Sequence, residues 1–202
     1  MMKVFGRRDV MNRKQVAKQE WKPGNMLYPL PAVMVSCSRS GEKPNIITVA
    51  WCGTVCSDPA MVSISVRKER YSYEMIRQTG EFVINLTTKE LAYAADYCGV
   101  RSGRDVDKFK EMGLTPASAS VVSCPIIAES PVNIECKVVD VKVLGSHDMF
   151  IAEVAAVDVS EEYMDENGKF DLNGTGLIAY SHGEYFTLGD KIGKFGFSVK
   201  KK

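Results

Sequence analysis

Apolar residues in this chain come in short, strand-sized blocks, several of them alternating with polar ones. Ile46, Ile47, Val49 and Trp51 mark one strand, which closes in the small run Cys52-Gly53-Thr54. Met61-Val62-Ser63-Ile64-Ser65-Val66 marks another, introduced by the turn Ser57-Asp58-Pro59. A period of two puts Val62, Ile64 and Val66 on one face and the hydroxyls of Ser63 and Ser65 on the other. Ala32 to Ser38, led in by Pro29 and Pro31, pairs with Ile46 to Trp51 as a hairpin across Ser40-Gly41-Glu42-Lys43-Pro44. Phe82 to Leu86 is a shorter strand. Val132 to Leu144 and Met149 to Ser160 are long ones, joined at Gly145-Ser146-His147-Asp148. Alternation along Asn133-Ile134-Glu135-Cys136-Lys137-Val138 predicts that one face of its strand is wet.

Helices are predicted between these strands. Ser72 is a suitable N-cap for Tyr73 to Thr79, with Gly80 as the stop. Thr87 and Glu90 have capping-box spacing for a helix through Tyr97, closed by Gly99. A third helix, around Asp105 to Met112, ends at Gly113. Residues 1–28 read as a charged arm, helical around Val10 to Gln19 and broken by Pro23-Gly24, and residues 29–202 as one domain. Long antiparallel strands with helices between them, and no βαβ rhythm, predict a mainly β, α+β architecture: an antiparallel β-barrel decorated by helices.

The chemistry concentrates between Asn45 and Tyr73. The small-residue strand leaves backbone open to a flat ring, and Asn45 and Thr48 can reach polar atoms on the edge of such a ring. Ala50, Cys52 and Gly53 permit close approach, and a peptide edge matches alternating ring donors and acceptors without charge. Trp51 either packs against such a ring or fills the barrel or a subunit interface. Arg67-Lys68-Glu69-Arg70-Tyr71-Ser72 sets three cations at a helix start, where free N–H groups and guanidinium forks suit a phosphate. The competing reading is a basic loop that pairs with surface carboxylates.

Composition narrows the classes. The chain has 202 residues, 45% of them apolar, which is enough for one domain with a sizeable core. A net charge of +1, with no basic stripe, argues against a nucleic-acid partner. The first residues lack the apolar run of a secretory signal and no segment has the length of a membrane span, so a soluble, cytoplasmic protein is expected. The six cysteines are scattered through apolar strands and read as reduced thiols. Cys52 and Cys56 have metal-ligand spacing but no second pair, so no metal is expected. No Gly-x-Gly-x-x-Gly follows a strand and no hydrolase elbow is present.

Five segments, in order, resemble the flavin reductase-like proteins with an FMN-binding split barrel, and more narrowly the flavoredoxin type. They are the Asn45 to Tyr73 stretch, Gly80-Glu81-Phe82-Val83-Ile84-Asn85, Asp96-Tyr97-Cys98-Gly99, Ser102-Gly103-Arg104-Asp105-Val106-Asp107-Lys108-Phe109, and Gly145-Ser146-His147. The resemblance runs from Pro29 to Gly193-Lys194-Phe195-Gly196. It implies FMN with its phosphate met by one or more of Arg67, Lys68, Arg70 and Ser72 and its ring by the Asn45 to Gly53 strand; Ser63 and Ser65 would face either that cofactor or solvent. It adds Asn85, Ser102, Gly103 and Lys108 on the cofactor side. His147, alone no more than a histidine in a turn, would stand at the nicotinamide side as the catalytic residue. Ser146 occupies a place where many relatives carry an acidic residue. His182, before Gly183, reads as structural. Hydride transfer from NAD(P)H to flavin, with electrons passed on to free flavin, a metal or a protein, is the implied activity. The alternative is an FMN electron carrier reduced by a protein partner. The same resemblance implies a homodimer.

Overall fold

Antiparallel pairing of the apolar blocks builds nearly everything in the computed structural model, which describes residues 17–199. The strands, in chain order, are β1 (Leu30–Pro31), β2 (Val33–Cys37), β3 (Asn45–Val49), β4 (Cys52–Ser57), β5 (Ala60–Val66), β6 (Glu81–Leu86), β7 (Pro116–Ala117), β8 (Ile126–Ile127), β9 (Val132–Val143), β10 (Asp148–Val159), β11 (Ile178–Ser181) and β12 (Glu184–Thr187). The helices are α1 (Tyr71–Thr79), α2 (Ala92–Val100) and α3 (Lys108–Glu111). Seven strands form one curled sheet in the order β3-β2-β6-β9-β10-β5-β4. Its two edges are consecutive in the chain, joined only by Ala50 and Trp51, and the Ser65 amide donates to the Trp51 carbonyl (2.8 Å), carrying the β4–β5 pairing up to that junction. The result is a split β-barrel, as the alternation predicts. No described helix is long and apolar enough to cross a membrane.

The barrel interior follows the period of two. Val33 and Val35, Ile47 and Val49, and Val62, Ile64 and Val66 point inward with Phe82, Ile84, Cys136 and Phe150. Helix α1 plugs the barrel with Tyr73, Met75 and Ile76. Gly80 ends it at φ 67°, a left-handed stop that favours glycine. The opposite face of β2 and β3 carries Met34 and Ile46, which α2 and α3 cover with Ala95, Cys98 and Phe109. A separate small sheet, β1-β11-β12, sits beside the barrel.

Several local expectations give way. The Cys52-Gly53-Thr54 run does not end a strand; it begins β4, which pairs back on β5. Ser72 lies inside α1 rather than capping it, because Arg70 takes the cap position and no side chain caps the helix. Helix α2 starts later than the Thr87/Glu90 spacing implies and likewise has no side-chain cap. The third helix is only Lys108–Glu111, with Asp107 as its cap accepting from the Lys110 amide (3.2 Å). The helix expected over 10–19 falls mostly outside the described residues.

The wet face expected on β9 is dry at Asn133 and Glu135, and only Lys137 of the three is exposed. Asn133 and Glu135 are buried beneath the segment 118–130. Glu135 accepts hydrogen bonds from the amides of Ser120 (2.7 Å), Val121 (2.7 Å) and Val122 (2.8 Å) and from Ser120 Oγ (2.6 Å). Burial opposes its charge, but these donors more than offset that and lower its pKa. The alternation is real; a loop covers the polar side.

Candidate functional site

Where the two sheet edges meet, the barrel opens into a cleft. A cavity of about 720 Å³ is lined by residues of β3, β5, α2, the His147 turn and β11–β12. It shares Ile47 and Arg70 with a second pocket of about 280 Å³ that runs under the start of α1. Thr48, Ala50, Trp51, Ser65, Arg67 and His147 line the larger cavity. Asn45, Ser72, Ser102, Gly103 and Lys108 line the smaller, and Arg70 lines both.

The smaller pocket is built for an anion. Arg70, Arg101, Arg104 and Lys108 surround it, and the uncapped N-terminus of α1 contributes Tyr71 and Ser72 to its wall. Lys108 is buried, and its Nζ donates to the carbonyls of Ile46 and Cys98, both at 2.7 Å. An ammonium has three hydrogens, so one donor is left over. Burial lowers its pKa to about 8. Asn45 Nδ2 donates to Ser72 Oγ at 2.8 Å and fixes β3 against α1. Gly103 lies so near that a Cβ would come within 2.1 Å of Asn45 Oδ1 and 2.8 Å of Tyr71 Cδ1. Only glycine fits there.

Chain packing also sets the wall of the larger cavity. Thr48 Oγ1 donates to the Ala95 carbonyl, and α2 approaches it closely at Gly99, where a Cβ would lie 3.2 Å from Thr48 Cβ. His147 lies nearly parallel to Trp51, with centroids 6.5 Å apart and planes 14° apart. Its Nδ1 meets Ser146 Oγ at 2.8 Å. Partial burial and then the nearby Arg67 lower its pKa, which favours the uncharged form of the ring. The adjacent Asp148 is fully buried and anchors the turn: it accepts from Tyr73 Oη (2.6 Å) and faces Lys68 Nζ at 3.5 Å. Those two groups keep the Asp148 carboxyl below its ordinary range, the Tyr73 hydrogen bond foremost, in spite of its burial.

Some expected residues do not reach the cleft. Asn85 is fully committed inside the fold: its Nδ2 donates to the Met34 carbonyl (2.9 Å), and its Oδ1 accepts from the Ile127 amide (2.9 Å) and Asn133 Nδ2 (2.7 Å). Gly53 and Ser63 pair with each other across β4 and β5, and neither lines either of these two pockets. Cys52 packs against the barrel core, and burial pushes its thiol up to about 12. Arg67 lines the larger cavity but not the anion pocket, and it pairs with Glu69 at 3.3 Å.

Other lining residues went unselected from sequence: Arg101, Arg104, Asp96, Tyr180 and Tyr185. Arg104 and Asp96 sit inside quoted motifs. The tyrosines had a readable signal in the short apolar runs either side of His182-Gly183. Those two residues form a tight hairpin turn with positive φ at both (51° and 95°).

The family model described as "Flavin reductase like domain" matches residues 25–189. An uncharacterized protein of Pyrococcus abyssi is 33% identical over 167 residues, covering 83% of this chain and 95% of its relative. The structure of a flavoredoxin of Desulfovibrio vulgaris (Miyazaki F) superposes with a TM-score of 0.83 at 31% identity, covering 91% of this chain and all of that one. An FMN-binding protein from Thermus thermophilus shares the fold at 23% identity and a TM-score of 0.72, covering 90% of this chain and 99% of the other.

Proposed function

Because the chain belongs to the flavin reductase-like family, we propose that it holds FMN in this cleft and works as an oxidoreductase. Hydride from NAD(P)H would reach the flavin, and electrons would pass on to free flavin, a metal or a protein acceptor. The observation that carries this reading is the junction of an open, ring-sized cavity with a cationic pocket through Arg70. FMN, when bound, supplies the two-electron chemistry. The chain's own work is positioning. Arg70, Arg104, the spare Lys108 donor and the first amides of α1 hold the phosphate. Backbone from Thr48 to Trp51, together with Ser65, orients the ring edge and offers donors to charge that develops there.

His147 lines the larger cavity and not the anion pocket. With Nδ1 engaged by Ser146, its Nε2 is the atom presented to a ligand. A ring there acts by contact and hydrogen bonding. Purified protein is expected to be yellow and to release FMN, not FAD, on denaturation. Colourless protein that also fails to take up added FMN overturns the proposal.

A second reading, an FMN carrier reduced by a protein partner, is supported by the 31% identity to a flavoredoxin. Stopped-flow reduction by NADH or NADPH, set against a reduced ferredoxin, separates the two. A homodimer belongs to the same proposal. Trp21, Leu27, Ile192, Phe195 and Val199 are 73–108% exposed at the two ends of the described chain, and a second copy would cover them. Light scattering that shows a monomer binding FMN tightly counts against it.

A further inference from the structure

The larger cavity has a second wall that the cofactor reading leaves without a task. Tyr28, Trp51, Tyr180 and Tyr185 form a continuous row of half-buried rings at one end of the cleft. Tyr28 meets Trp51 at 6.5 Å and Tyr180 at 6.1 Å; Tyr180 meets Trp51 at 6.4 Å and Tyr185 at 5.7 Å, all tilted or edge-on. His182, strained at the hairpin tip, closes the row edge-on against Tyr28 at 5.9 Å. None of these rings belongs to a core cluster, so their faces are not consumed by the barrel. Trp51, Tyr180 and Tyr185 line the cavity directly.

We propose that this wall binds a second flat, conjugated and uncharged ring of the quinone class beside the cofactor. The inference rests on the FMN reading only for what lies next to that ring. Three observations argue for it. The phosphate end has its own pocket, so the cavity of about 720 Å³ has room for more than one ring system. Tilted aromatic faces favour stacking or edge contact with a planar guest. Charge then selects among planar guests. The cavity's arginines, Arg67 and Arg70, come from the β5–α1 loop. On the tyrosine wall Asp96 is the charged lining residue, and it accepts the Tyr185 hydroxyl at 3.1 Å. A carboxylated or sulfonated ring stacked on that wall would meet a like charge; a quinone meets none.

The test is calorimetric titration of menadione into oxidised protein, where no electrons move, both with FMN and after FMN is stripped. In Tyr180→Leu/Tyr185→Leu, menadione affinity is expected to fall about ten- to a hundredfold, the loss of one or two stacked faces. FMN affinity should fall at least tenfold less than that. Tyr185→Phe, which keeps the ring and loses only the Asp96 bond, should retain menadione. If the double variant does not fold, Tyr185→Leu alone is compared with Tyr185→Phe. Unchanged menadione affinity in the leucine variants, or menadione and FMN lost in step, overturns the proposal. A sulfonated naphthoquinone that binds as tightly as menadione overturns the assignment to uncharged rings. Wild type that takes up no FMN defeats the cofactor reading, yet titration of the stripped protein still decides this one.

Discussion

Replacing Gly103 by alanine tests how the anion pocket is built. The new methyl group would lie 2.1 Å from Asn45 Oδ1, 2.6 Å from Asn45 Cγ and 2.8 Å from Tyr71 Cδ1, so something must move. If Asn45 moves, its buried hydrogen bond to Ser72 breaks and polar atoms are left unpaired, at about 1–3 kcal/mol. Overpacking adds about 1–3 kcal/mol, giving roughly 2–6 kcal/mol in all, out of a total stability of about 5–15 kcal/mol. If the Ser102–Asp107 segment swings out instead, stability holds but Ser102, Arg104 and Lys108 no longer converge, and FMN weakens while riboflavin does not. Urea unfolding midpoints with FMN and riboflavin titrations resolve the two outcomes. Gly53→Ala is the control: nothing lies within 4 Å of a Cβ there, and the change should cost less than about 0.5 kcal/mol. A Gly103→Ala protein with wild-type stability and wild-type FMN affinity would refute this account of the pocket.

Arg70→Ala should weaken FMN by about 1.5–3 kcal/mol, the worth of a charge-assisted hydrogen bond, and leave riboflavin unaffected; Arg67→Ala should do much less, because Arg67 lies outside the inner pocket. Equal losses for FMN and riboflavin would show that Arg70 is structural. Lys108 gives a pH signature. Its folded pKa of about 8 means that FMN affinity should fall as pH rises through that value while riboflavin affinity stays level. Stability runs the other way: the unfolded chain holds this proton up to higher pH, so the Lys108 contribution rises between about 8 and the ordinary lysine range near 10.4. His147→Ala should slow reduction by NAD(P)H about ten- to a hundredfold with FMN still bound, the size of one positioning contact. Unaltered rates would reduce it to a turn residue.

The sequence was most legible where local rules and tertiary packing agree. The period of two placed Val62, Ile64 and Val66 inside the barrel with Ser65 facing the cleft, and Gly80 stopped α1 as expected. It misled where tertiary partners overrule local signals. Ser72 looks like a cap, but Asn45 claims its hydroxyl from 27 residues away. Glu135 looks wet until the amides of residues 120–122 close over it. Asn85 resembles a cofactor ligand only until Met34 and Ser36 take its donors and Ile127 and Asn133 its acceptor. Tyr180 and Tyr185 were missed because their role comes from where the hairpin docks, through Ile178 N–H to the Thr87 carbonyl (3.1 Å) and the Thr88–Leu177 bridge. No local pattern encodes that docking.

The junction at Ala50 and Trp51 bears on how the protein comes apart. Strands β3 and β4 are neighbours in the chain, yet they occupy opposite ends of the hydrogen-bonded order. The barrel is therefore closed by a seam that carries few ladder bonds of its own. Such a seam forms only after the intervening strands have found their partners, and it is the least costly place to open again. A molecule that touches Thr48 on one lip and Ser65 on the other works as a rivet, adding stability by RT ln(1 + [L]/Kd). In hydrogen exchange, protection gained on loading should concentrate in β3, β5 and the His147 turn, with the amides of β9 little changed. On this view the cofactor is also the last structural element of the barrel.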